Sequence, residues 1–243
     1  MDNVTAAKCI IKSLDLTSLN KNDTPETIEI LCKKAETKFG NVAAVCVYPE
    51  FVGKALREVP QGVNIATVVN FPDGDGDIKF VEKEIKKAIK VGADEIDVVL
   101  PYKRLIDGDE EYCRQYLQMC RTCCENKILK IIIESGELKT TNLIRKASQI
   151  CIDEGADFIK TSTGKTKISA TPEAANAILE VIKASGKNVG FKASGGIKTT
   201  EDAKKYLILA NAILGSNWVN QKHFRIGASS VLNDLMKTIE RGF

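Results

Sequence analysis

The sequence predicts a (β/α)8 TIM barrel forming one domain over residues 1–243, and three observations predict it. Short runs rich in β-branched residues alternate with longer amphipathic stretches. The runs start roughly every thirty residues, the period of a βα unit in a parallel sheet. Eight such units in 243 residues match the size of a closed barrel, and no linker, low-complexity segment or break in composition divides them. A doubly wound open sheet is the rival architecture; eight regular units favour closure.

In chain order the expected strands are Ile11–Leu16, Val42–Tyr48, Asn64–Phe71, Glu95–Leu100, Leu129–Glu134, Phe158–Ser162, Asn188–Lys192 and Ala212–Gly215. The expected helices lie between them. Thr24–Phe39 opens with Thr24 as N-cap and Pro25 at the first helical position, where a missing N–H is harmless. Asp77–Val91, Asp109–Glu125, Thr140–Glu154, Thr171–Ser185 and Thr199–Leu209 each open on a side chain able to accept from first-turn amides. Gly40, Gly92, Gly155 and Gly186 stand where helix C-caps belong.

Composition narrows the function. The chain is 44% hydrophobic and 28% charged with a net charge of +3, the profile of a globular protein with a substantial core. Its lysines are mixed with acids, as between Lys79 and Lys90, so no nucleic-acid footprint stands out. No run reaches the ~18 apolar residues of a membrane helix, and Met1-Asp2-Asn3 does not begin a signal peptide, so a cytoplasmic location is expected. The single histidine, His223, rules out HExxH zinc sites and leaves Ser-His or Cys-His catalysis resting on one residue, read as structural. The eight cysteines are expected as reduced thiols. Cys120-x-x-Cys123-Cys124 is only half a zinc site, and Cys113, Cys120 and Cys124 share one helical face, which points to core packing. No metal or cofactor is expected.

Three ligand-like patterns fail on inspection. Gly164-Lys165-Thr166 would end a P-loop only with glycine at 159, which is Ile159. Gly74-x-Gly76 lacks its third glycine, having Lys79 there. Asp73, Asp75, Asp77 and Glu84 imitate a calcium loop, but its required glycine is Ile78, so a solvated loop capping a helix is the better reading. Two glycine-rich segments survive as an anion site: Gly195-Gly196 after the seventh strand, and Gly227-Ala228-Ser229-Ser230 after the eighth, opening the last helix. Loops in these places are a frequent phosphate cradle in barrels.

Charged residues inside apolar strands mark the chemistry, because burying an unpaired ion is costly. Gly92-Ala93-Asp94-Glu95-Ile96-Asp97 and Gly155-Ala156-Asp157-Phe158-Ile159-Lys160 are internal echoes that place a charge at the same offset. Lys160 and Lys192, at the ends of neighbouring strands, would depress each other's pKa and free an amine nucleophile, or would instead hold one phosphate as point charges. Asp15 and Asp97, at the ends of strands one and four, could face them and move protons.

Phe158-Ile159-Lys160-Thr161-Ser162-Thr163-Gly164, Val189-Gly190-Phe191-Lys192-Ala193-Ser194-Gly195-Gly196-Ile197, Glu95-Ile96-Asp97-Val98-Val99 and Phe224-Arg225-Ile226-Gly227-Ala228-Ser229-Ser230 closely resemble signature segments of the class I deoxyribose-phosphate aldolases. The resemblance runs almost end to end, from Leu14-Asp15-Leu16-Thr17 to the final serines. It implies a metal-free lyase that reversibly cleaves 2-deoxy-D-ribose 5-phosphate to acetaldehyde and D-glyceraldehyde 3-phosphate in deoxyribonucleoside catabolism. In that reading Lys160 forms the Schiff base, Lys192 perturbs its pKa and joins a proton relay, and Asp97 moves protons at the carbon next to the imine. Asp15 and Thr17 line the substrate hydroxyl pocket, while Lys165, Gly195, Gly196, Gly227, Ser229 and Ser230 hold phosphate. Cys46 matches a family cysteine near the site. The partner is a small phosphosugar, with homo-oligomerisation left open. One departure stands out: some members end in a tyrosine that assists proton transfer, whereas this sequence ends Arg241-Gly242-Phe243. The rival readings are another lysine-dependent sugar-phosphate aldolase or transaldolase, and an isomerase or non-catalytic phosphosugar-binding barrel.

Overall fold

A computed structural model describes residues 1–242; Phe243, and with it any part for that side chain in proton transfer, lies outside the described residues. Eight parallel strands close on themselves: β1 (Leu14–Thr17), β2 (Ala44–Val47), β3 (Asn64–Val69), β4 (Glu95–Val99), β5 (Ile128–Ile132), β6 (Phe158–Lys160), β7 (Gly190–Ser194) and β8 (Phe224–Ala228). Each pairs with its successor, and β8 returns to β1 with Leu14 opposite Ile226 and Asp15 opposite Gly227. Helices α1 (Asn3–Lys12), α2 (Pro25–Lys34), α3 (Val52–Glu58), α4 (Ile78–Val91), α5 (Tyr102–Ile106), α6 (Glu110–Cys124), α7 (Ser135–Leu138), α8 (Thr141–Asp153), α9 (Pro172–Ser185), α10 (Thr200–Leu214) and α11 (Val231–Arg241) surround or cap it. The (β/α)8 barrel read from periodicity is therefore the observed fold. Among the described residues no helix is long and apolar enough to cross a membrane.

Side-chain alternation along the strands separates two environments. Leu14, Leu16, Val45, Val47, Ile65, Ile96, Val98, Ile131 and Ile159 lie in one apolar layer shared with the helices. Burying each is worth about 1.5–3 kcal/mol, so this layer holds the fold. Inside the barrel, Ala44, Cys46, Ala66 and Val68 form a small apolar cluster with Leu19. The same inward side carries seven charged residues: Asp15, Glu95, Asp97, Lys130, Lys160, Lys192 and Arg225.

Local signals explain most helix boundaries. Thr24, Asp77, Thr140, Thr171 and Thr199 each accept from an amide of the first turn, as their side-chain chemistry predicts. Asp77 thus serves as a cap in the loop that imitates a calcium site. Gly92 and Gly186 take left-handed conformations at the ends of α4 and α9, and Gly155 follows α8 with φ of 82°. Cys113, Cys120 and Cys124 are buried along α6, and all eight cysteines are free.

Four expectations need correction. Residues 212–215 are not the eighth strand: the Ala-Ile-Leu run prolongs α10, and the strand is Phe224–Ala228, whose interior Arg225 breaks the apolar pattern. Helix α2 stops at Lys34, and Glu36–Thr37 pairs with Gly40–Asn41 in a small antiparallel hairpin, so Gly40 is not a helix cap. The first strand begins at Leu14, because Ile11 belongs to α1, capped by Asp2 through the Thr5 amide at 2.8 Å. Finally, Asp15, Asp97 and Lys192 sit within their strands rather than at the ends, which places them inside the barrel.

Candidate active site

Strand register assembles the charged interior. Asp97 on β4 lies opposite Lys130 on β5, Lys160 on β6 opposite Lys192 on β7, and Lys192 opposite Arg225 on β8. In parallel strands register partners point to the same side, so these side chains meet. Asp15, Glu95, Asp97, Lys130, Lys160, Lys192 and Arg225 are all at most 3% exposed. One oxygen of Asp97 accepts from both Lys160 and Lys192 at 2.7 Å, and the other accepts from Lys130 at 2.8 Å. Lys192 also donates to Asp15 at 2.5 Å, and Arg225 bridges Asp15 (2.5 Å) to Glu95 (3.0 Å). Lys130 pairs closely with Glu95 as well.

The charge count of this network has a consequence. Fully ionised, it holds four cations against three carboxylates. A dry interior tolerates balance far better than surplus, so one cation is under pressure to lose its proton. Burial lowers the pKa of every lysine here. At Lys130 the carboxylates of Asp97, Glu95 and Asp15 more than reverse that effect, and at Lys192 those of Asp15 and Asp97 do, holding both above 10.5. At Lys160 burial and the Lys192 ammonium together outweigh Asp97, and its pKa falls below 10.5. The two lysines therefore do not depress each other symmetrically, as their adjacency alone suggests. Carboxylates surround Lys192 and keep it charged, and Lys160 is the one that yields.

The carboxylates go the other way. Burial opposes their ionisation, but Lys192, Lys130 and Arg225 hold Asp15 below its ordinary 3.8, Lys130 and Arg225 hold Glu95 below 4.5, and Lys130, Lys160 and Lys192 hold Asp97 well below 3.8. Depressed folded-state values mean that this stabilisation is complete above the ordinary carboxylate range and drains away as pH falls through the depressed ones. Thermal midpoints should hold level from pH 7 to about pH 5 and then fall steeply, with unfolding taking up as many as three protons from these groups. Melts recorded from pH 7 to pH 2 check this; a midpoint that drifts with the slope of less than one proton would contradict it.

Above the network, a cleft of about 180 Å³ opens between the loops that follow β1, β6, β7 and β8. Lys160 reaches its floor, and Thr17, Lys165, Gly195, Gly196, Gly227 and Ser229 line it. The Thr17 hydroxyl donates to the Asp15 carbonyl at 2.8 Å, and the Lys165 ammonium donates to the Leu19 carbonyl at 2.6 Å. The amides of Gly195, Gly196, Ser229 and Ser230 have no acceptor among the described residues. Such amides beside the start of α11 form an anion-binding surface. Gly227 is required by proximity: a Cβ there would lie 2.9 Å from Cε of Lys192.

Three predicted residues lie close to the cleft without lining it. Asp15 is under the cleft floor, fully buried in the ion network, so it does not itself line a pocket. Cys46 is buried in the apolar cluster of β2 and β3, where burial and then the Asp97 carboxylate push its thiol pKa up. Ser230 lines the adjoining groove with Leu31, Lys34 and Asn233, and Ser229 lines both that groove and the cleft. His223 precedes β8 at the opposite end of the barrel, stacked on Trp218 and bonded to Asn188 at 2.6 Å. Glu95, Lys130 and Arg225 were not singled out from sequence. The rule that exposed Asp97 and Lys160, a charge inside an apolar strand, applies equally to them. Glu134 was missed too, although it closes the apolar run Ile131-Ile132-Ile133 of an expected strand; in the structure the strand ends at Ile132 and Glu134 lies in the loop that follows.

A protein-family model described as DeoC/LacD family aldolase matches residues 9–237. The chain belongs to this family. Among solved structures, an apo candidate deoxyribose-phosphate aldolase from Toxoplasma gondii ME49 is 24% identical, with 98% of each chain covered and a TM-score of 0.90. A candidate deoxyribose-phosphate aldolase from Coccidioides immitis is 29% identical, covering 96% of this chain and 86% of that one, with a TM-score of 0.85. The deoxyribose phosphate aldolase of Aeropyrum pernix, described as a unique tetramer, is 21% identical over 100% of this chain and 98% of that one, with a TM-score of 0.77. The first and third bear on fold alone. For a member of the DeoC/LacD aldolases, a buried lysine at the floor of a polar cleft is the feature of chemical interest.

Proposed function

We propose that this protein is a Schiff-base aldolase that interconverts 2-deoxy-D-ribose 5-phosphate with acetaldehyde and D-glyceraldehyde 3-phosphate. The observation that carries the reading is Lys160, a cleft-floor lysine held toward its neutral form by a network balanced without its charge. Only the free amine can attack a carbonyl. Its nitrogen adds to the C1 aldehyde of the open-chain sugar, and loss of water gives a protonated imine. That imine draws the electron pair of the C2–C3 bond as a base removes the proton of the C3 hydroxyl. D-glyceraldehyde 3-phosphate leaves, the enamine takes a proton at C2, and hydrolysis frees acetaldehyde.

Asp97 suits the proton transfers, directly or through a water, since one of its oxygens already joins Lys160 to Lys192. Lys130 and Lys192 favour the ionised form of Asp97, and the Lys192 ammonium adds to burial in lowering the pKa of Lys160. Thr17 and the cleft walls orient the hydroxyls, and the free amides around Gly195 and Ser229, with Lys165, take the phosphate. Binding the phosphate away from the reacting carbons lets its energy serve orientation.

Product identity tests the reaction: acetaldehyde together with glyceraldehyde 3-phosphate supports it, and any other aldehyde pair, or none, overturns it. The phosphate end has its own test. Ser229→Asp sets a carboxylate against the phosphate and should raise KM for deoxyribose 5-phosphate by about ten- to a hundredfold, a modest yield for one like-charge contact. Unphosphorylated deoxyribose should be affected far less; equal losses would place the phosphate elsewhere.

A further inference from the structure

The wall of the cleft that carries Gly164 and Lys165 is fastened to a buried carboxylate that neither the ion network nor the proposed chemistry uses. Glu134 follows β5 with a left-handed backbone (φ 49°) and no exposed surface. A non-glycine residue in that conformation is strained, and the surroundings must hold it there. Its carboxylate accepts from the Thr163 hydroxyl at 2.5 Å and from the Thr163 amide at 3.3 Å, while its other oxygen accepts from the Thr166 hydroxyl at 3.2 Å. The Thr163 hydroxyl in turn accepts from the Lys165 amide at 3.1 Å. A chain of hydrogen bonds thus runs from Glu134 through Thr163 to the backbone of Lys165. Beside it, Gly136 lies so close to the Ile168 carbonyl that a Cβ would collide with it, and Ser169 packs on Gly195. The segment 163–169 is therefore gripped at Glu134 and Gly136 and presses on the second glycine loop.

We propose that Glu134 is a positioning residue that sets affinity for the phosphorylated end of the substrate by holding Lys165 and the 163–169 wall in place. The inference rests on the aldolase reading above. It assigns Glu134 no contact with substrate and no proton transfer. Its effect belongs on phosphosugar binding and not on carbon–carbon cleavage.

The test compares two substrates, deoxyribose 5-phosphate and deoxyribose. Glu134→Ala should raise KM for the phosphorylated sugar at least tenfold while kcat changes less than threefold, and kcat/KM for deoxyribose should change less than threefold. Glu134→Gln can still accept from Thr163 and should restore most of the lost affinity. Should Glu134→Ala fold poorly by circular dichroism and melting, Thr163→Val breaks the same chain and should show the same split. Lys165→Ala should cost less in the Glu134→Ala background than alone, because the two act through one wall. Equal losses on both substrates, no rescue by glutamine, or fully additive effects would reduce Glu134 to a general structural residue and overturn the proposal. A wild-type protein that cleaves neither sugar would instead overturn the aldolase reading, so the two failures are distinguishable.

Discussion

Lys160→Ala should abolish borohydride fixation of acetaldehyde to the chain at every pH and cut turnover by at least about 10⁴-fold, the scale of losing a covalent nucleophile. The variant should nevertheless fold. Removing Lys160 leaves Lys130, Lys192 and Arg225 against Asp15, Glu95 and Asp97, so the charge balance of the interior is kept. The variant loses the packing of the lysine stem and one donor to Asp97, and no ion is left without a partner. Removing a member of a balanced pair is different, and costs about 3–5 kcal/mol. Intact mass after reduction, with a thermal melt of the same sample, reads both expectations. An adduct that persists in the variant would move the nucleophile elsewhere; a collapsed melt would mean that Lys160 is a structural partner of Asp97.

Sequence reasoning reached the barrel because its signal is repeated. Eight apolar runs and several capped helices tolerate local errors without changing the count. The misplaced eighth strand shows where such reasoning fails: Ala212–Leu214 is as apolar as a strand yet forms the last turn of α10, with Ile213 and Leu214 half-buried against the core, while Arg225 interrupts the true strand. Periodicity cannot separate a short buried strand from the end of a buried helix. The buried charged cluster was legible at Lys160, Lys192 and Asp97 because each is a charge in an apolar setting. Their roles were less so. Which lysine yields its proton depends on how many carboxylates touch each ammonium, and that follows from register across β1, β4 and β5. Residues far apart in the chain, such as Asp15 and Lys192, meet only through that register. Glu134 was overlooked for another reason: it closes an apolar run as Lys160 does, but its partners are hydroxyls and an amide on a distant loop, which the run does not reveal.

The charge count also fixes what Lys192→Leu should do. Leucine fills much of the volume of the lysine stem but leaves the network with Lys130, Arg225 and Lys160 facing three carboxylates. Balance then favours a protonated Lys160, whereas the wild-type network disfavours its charge. Asp97 loses one of its donors and turns more fully on Lys160, while the neighbouring ammonium that opposed Lys160's charge is gone. Both changes raise the Lys160 pKa. At neutral pH, borohydride trapping with acetaldehyde should therefore be nearly lost, and turnover should fall by about 10²–10⁴-fold. As pH rises, Lys160 deprotonates and trapping should return. Turnover should recover less, because the Asp15–Lys192–Asp97 path for protons has been cut. A pH profile of trapping beside one of turnover, with the adduct mapped to its peptide, decides the matter. Trapping that stays at wild-type level at pH 7 would mean that burial alone keeps Lys160 neutral, and an adduct mapped to Lys192 in the wild-type protein would exchange the two roles.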